Sequence, residues 1–108
     1  MELPNRRTGL TREFTWAYKH QVSVTVNFTE NTTLPCEIFI KGAKEDTELG
    51  AYANDLGIMI SVALQNNVQL ETLADTLGAN APDPSMGALA CNTALELTNE
   101  LQPSNPTT

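Results

Sequence analysis

The residues able to do chemistry are few and far apart. The chain has one histidine, His20, and two cysteines, Cys36 and Cys91. The cysteines form no CxxC pair, so the short-spaced Cys/His ligand set of a zinc site is missing. No metal and no cofactor is therefore expected. A nucleophile–base pair would have to recruit His20, which falls between two strand-like segments, and no catalytic residue is assigned there. Glu45 and Asp46 stand where a helix begins, and the helix macrodipole accounts for carboxylates at that place. In a reducing compartment the two cysteines read as buried free thiols. The expectation is a protein that binds rather than one that catalyses.

The best binding pattern is basic. Lys41-Gly42-Ala43-Lys44 lies between a strand-like and a helix-like segment, with Thr47 at the start of the latter. Unpaired N–H groups at a helix start, two ammonium groups and a hydroxyl suit an anion. Arg6 and Arg7 could close over it, because guanidinium forks match phosphate oxygens. The candidate ligand-binding residues are thus Arg6, Arg7, Lys41, Gly42, Lys44 and Thr47. Glu45 and Asp46 oppose the site with like charge. Lys19, in the hairpin, is expected at the other end of the sheet.

Charge is distributed unevenly. All six basic residues fall within positions 1–44, beside four acids, whereas positions 45–108 hold nine acids and no base. The formal net charge of −7 therefore originates in the second part of the chain. Generic binding to duplex nucleic acid is disfavoured by that field. No stretch approaches the roughly 18 apolar residues of a membrane span, and the first residues lack the apolar run of a signal peptide. A cytoplasmic location is expected.

The elements that must position these residues follow from periodicity. Residues 1–10 read as an extended arm, 11–102 as a single domain and 103–108 as a flexible tail. From near Arg12, Phe14, Trp16 and Tyr18 alternate with polar or small residues, as in a half-buried strand. Val22, Val24, Val26 and Phe28 repeat the alternation after a short Lys19-His20 link, which suggests a hairpin. Cys36, Ile38 and Ile40 share one face of a third strand opened by Pro35. The period then turns helical through Leu49, Ala53, Leu56, Ile60 and Leu64, with Thr47 as N-cap. Ile58 and Val62 lie off that stripe, so this helix is expected to be central, with Trp16 packed on it and Gly50 and Gly57 admitting a close neighbour. A short helix over Leu70–Leu77 ends at Gly78, and Ser85 caps a last one. The fold class is α+β: a three-stranded antiparallel meander followed by three helices packed on one face. Val24, Val26, Ile38, Leu56 and Ile60 are the expected core.

Taken together, several blocks resemble one family. Leu3-Pro4-x-Arg6-Arg7 precedes the aromatic strand. Pro35-Cys36-Glu37-Ile38-Phe39-Ile40-Lys41-Gly42-x-Lys44 and Ile60-Ser61-Val62-Ala63-Leu64-Gln65-Asn66-Asn67-Val68 follow. Leu70-Glu71-Thr72-Leu73 and Ser85-Met86-Gly87-Ala88 complete the set. In order and spacing, over roughly residues 3–101, they are similar to the TSCPD domain. That domain closes some adenosylcobalamin-dependent ribonucleotide reductases and also occurs as short stand-alone proteins of bacteria and phages. The resemblance implies an accessory role near nucleotide reduction, not catalysis by this domain. Two departures stand out: Lys44-Glu45-Asp46-Thr47 replaces a Lys-x-Gly-Ser turn, and the Thr-Ser-Cys-Pro-Asp string that names the family is absent. A thiol role attached to that string does not carry over.

Two functions stay open. One is a non-catalytic accessory or regulatory protein that binds a nucleotide-type or other phosphorylated small ligand, as a homo-oligomer, with phage-type sequestration of a signalling nucleotide as a variant. The other is an acidic interaction module or inhibitor that docks on a basic protein partner, such as a reductase.

Overall fold

The computed structural model describes residues 7–30, 32–42 and 47–101. Three strands come first: β1 (Arg7–Trp16), β2 (His20–Phe28) and β3 (Pro35–Lys41). Three helices follow: α1 (Thr47–Gln65), α2 (Leu70–Leu77) and α3 (Met86–Leu101). The strands form one antiparallel sheet in the order β1-β2-β3, so the expected α+β architecture is the observed one. β1 begins at Arg7, earlier than the alternating aromatics alone suggest, because a register shift between Arg7 and Leu10 lets the strand re-pair opposite Phe28.

Period-two patterning sets the core. Val22, Val24, Val26 and Phe28 of β2 are fully buried, and Cys36, Ile38 and Ile40 of β3 join them on the same face. Phe14 and Trp16 pack against this cluster from β1. The opposite face is polar apart from the exposed Phe39: Thr11 hydrogen-bonds Thr25 at 2.7 Å, and Asn27 donates to Glu37 at 3.1 Å. The hairpin turns through Ala17-Tyr18-Lys19 rather than at Lys19-His20. Ala17 and Tyr18 both take positive φ, 55° and 69°, and Tyr18 is left fully exposed at the tip. Left-handed backbone at two residues that carry a Cβ costs on the order of 1 kcal/mol each.

The helices divide the sheet in a way the periodicity did not anticipate. The central helix is α3, not α1. Met86, Ala90, Cys91, Ala94 and Leu97 of α3 are buried, and α3 touches all three strands and both other helices. α3 is thus the helix laid against β1, on the face where Trp16 packs. α1 runs along β3 and closes the sheet's edge. Ser61 of α1 bonds both backbone groups of Ile38, and Gln65 Nε2 donates to the Cys36 carbonyl at 2.9 Å. Gly57 makes this approach possible, since a Cβ there would lie 3.0 Å from the Ile38 carbonyl oxygen. Gly50 has no atom that close: a Cβ there would meet nothing within 4 Å.

Caps agree with the local chemistry. Ser85 Oγ accepts from Ala88 N–H at 3.1 Å at the start of α3. Gly78, at φ 81°, ends α2 and donates its N–H to Ala74 and Asp75 carbonyls. Arg12 reaches from β1 to Glu96 and Glu100 of α3, pinning helix to sheet.

Candidate functional site

A three-stranded meander places its two basic ends apart. β3 runs back toward the β1–β2 hairpin, so Lys41 pairs with Ser23 near the hairpin end of β2. Arg7 pairs with Phe28 at the other end. Those positions are five steps apart on β2, about 17 Å along the strand. The fold therefore does not bring Arg7 and Lys41 together. Lys19, expected far from Lys41, sits instead at the same end of the sheet. Gly42 follows Lys41 directly and lies against α1, where a Cβ would be 3.2 Å from the Leu49 side chain. Thr47 is the first residue of α1. Arg6 and Lys44 fall outside the described residues, as do 1–6, 43–46 and 102–108 generally.

The end of the sheet that Arg7 occupies has its own concavity. A cavity of about 650 Å³ opens between the β2–β3 loop, the end of α1, the start of α2 and the last turns of α3. Its walls combine neutral polar groups (Thr33, Gln65, Asn67, Gln69, Thr98, Asn99) with Leu34, Leu64, Val68 and Leu95. Among the described residues, Glu71 is the one charged side chain in that lining. Local folding shapes the mouth. Thr32 Oγ accepts from Leu34 N–H at 3.1 Å and donates to the Thr29 carbonyl at 2.8 Å, which curls the loop. Asn67, at φ 70°, turns the chain out of α1, and Val68 N–H returns to the Ala63 carbonyl at 3.0 Å. Gln69 stands at the N-cap of α2 yet makes no side-chain capping bond. Carboxamides and hydroxyls both donate and accept, and so suit a hydrogen-bonding but uncharged group such as a base or a sugar.

Sequence reasoning passed over this cavity because it sought cations at a strand–helix junction. The signals were present in Asn31-Thr32-Thr33 and Asn66-Asn67-Val68-Gln69, polar runs that read individually as turns.

Apart from Glu71 in the cavity lining, the side chains able to act as nucleophile or base are elsewhere or shielded. Cys36 lies in the cavity wall, Cys91 lies in the core, and both are buried and free. Burial pushes the Cys91 thiol up to about 11. The His20 ring sits beside Trp16, with centroids 5.6 Å apart. Among the described residues, no group of three or more His, Cys, Asp or Glu side chains could hold a metal, and no helix is long and apolar enough to cross a membrane.

The TSCPD domain model matches residues 2–95 of the 108. The chain belongs to the TSCPD domain family. TSCPD domains are associated with ribonucleotide reductases, so an accessory role beside nucleotide reduction is the role the family carries. No curated protein and no solved structure matches the chain. Within this TSCPD domain, the helix block around Ser61 and Gln65 is the part that seals β3, and the following Asn67 and Gln69 line the cavity.

Proposed function

We propose that this TSCPD protein is a non-catalytic accessory protein that binds a nucleotide-type small ligand in the cavity at the Arg7 end of the sheet. The observation that carries the reading is the lining itself: a pocket in the size range of small-molecule sites, about 650 Å³, walled by neutral amides, hydroxyls and leucines with the single carboxylate of Glu71 among the described residues. The base and sugar occupy these walls. The phosphates lie outward, toward the end of the sheet where β1 begins at Arg7. The two buried thiols, and a His20 ring that sits tilted beside Trp16, favour binding over turnover. Sequestration of a signalling nucleotide is one use of such a site, and regulation of a reductase is another.

The test starts with heat-denatured purified protein and mass spectrometry of the released small molecules. Calorimetric titration with nucleosides and nucleotides follows. Val68→Trp, at a half-exposed wall position, should fill the cavity and weaken binding at least ten-fold. Full affinity in that variant would move the site away from the cavity.

A second reading rests on charge. Residues 45–108 carry nine acids and no base, and Glu71, Asp75, Asp83, Glu96 and Glu100 of the helical side are all exposed. That surface suits docking on a basic protein partner. Recovery of one basic protein, and of no small molecule, with the tagged chain would favour it.

A further inference from the structure

The side of α1 turned away from the sheet is apolar. Tyr52, Ile58, Met59 and Val62 expose 65%, 53%, 69% and 52% of their surfaces. From Ala51 to Val62 the only charged residue is Asp55. Tyr52, Asp55, Met59 and Val62 follow the alternating three- and four-residue steps of a coiled-coil seam. One flank of that seam, Leu56 and Ala63, is turned into the chain's own fold and half-buried. The other flank, Ala51 and Ile58, is exposed.

We propose that this seam joins two copies of the chain, with α1 packed antiparallel on α1 of the second copy about a two-fold axis that crosses the exposed side of the helix at the level of Gly57. Area is the first argument. The four apolar side chains together expose on the order of 500 Å², near the upper end for a patch on a stable monomer. Two copies would cover about 1,000 Å² from these residues alone, the lower bound of a specific interface. Charge supplies the direction. A parallel pair sets Asp55 against Asp55 in a dehydrated seam, which is costly for like charges. An antiparallel pair sets Tyr52 against Val62 and Asp55 against Met59. The two carboxylates are then displaced by four residues, about 6 Å along the axis, in addition to the separation of the helices. Like flanks also meet in this arrangement, so Ile58 faces Ile58 near the axis. A two-fold contact of this kind is closed and self-complementary.

Sedimentation equilibrium and light scattering at tens of micromolar should give twice the chain mass. Met59→Glu and Val62→Glu should return it to the monomer, with unchanged far-UV circular dichroism and a denaturant midpoint that no longer rises with protein concentration. Ile58→Cys should cross-link into a covalent dimer on mild oxidation. Tyr52→Cys should not, because its partner lies ten residues, about 15 Å, along the opposing helix. Cys36 and Cys91 are buried and leave little background. A monomeric wild type, or a dimer untouched by Met59→Glu, overturns the interface. Equal cross-linking of both cysteine variants overturns its antiparallel sense.

Discussion

Ser61 closes both open backbone groups of Ile38. Its Oγ accepts from the Ile38 N–H at 2.8 Å and donates to the Ile38 carbonyl at 3.1 Å. A hydroxyl is suited to this because it is donor and acceptor at once. The exchange converts the free edge of β3 into an interior position, and edge protection is what keeps such a strand from pairing with other chains.

Ser61→Ala leaves the N–H and the carbonyl without partners, each at about 1–3 kcal/mol. We expect a loss of roughly 2–4 kcal/mol in urea unfolding, with faster aggregation on warming. A loss under half a kcal/mol would mean that water satisfies the edge in place of Ser61.

Cavity mutations should rank by helix face. Ile60 is buried, whereas Leu56 is half-buried beside Gly87 and does not join the expected core fully. Ile60→Ala should cost about 2–5 kcal/mol, and Leu56→Ala should fall below that range. Equal losses would show that the two side chains are buried alike.

High pH should loosen the fold through Cys91. Its thiol rises from 9.0 to about 11 on burial, so the unfolded chain loses the proton first. Stability is then fully present below about pH 9 and declines as pH rises through about 11, by on the order of 2 kcal/mol for this group. Urea midpoints of wild type and Cys91→Ala between pH 7 and 11 isolate it. Parallel curves for the two proteins would remove Cys91 from the account.

Anion variants distinguish the two ends of the sheet. With the ligand in the cavity, Arg7→Ala should weaken nucleotide affinity about ten-fold, as expected for one charge-assisted hydrogen bond. Lys19→Ala, Lys41→Ala and Lys44→Ala should change it little. The opposite pattern would place the anion at the β3–α1 junction, with Lys19 contributing because it shares that end.

The strands, the helices and the α+β order were legible in the residues. Alternating Val22, Val24 and Val26 permit one buried face, and Gly78 and Ser85 mark helix ends through local backbone geometry. The family was legible as well, because its blocks are contiguous strings. Which helix is central was not. Met59 and Ile58 look like core residues by type, yet they face outward, since α1 lies along a strand edge and buries only one side. Nor could spacing along the chain show that a meander returns Lys41 to the hairpin end and leaves Arg7 at the other. The cavity needed tertiary structure most of all. Its walls come from three stretches distant in sequence, the β2–β3 loop with the start of β3, the α1–α2 corner and the end of α3, and such a surface exists only once nonlocal contacts have fixed where those stretches meet.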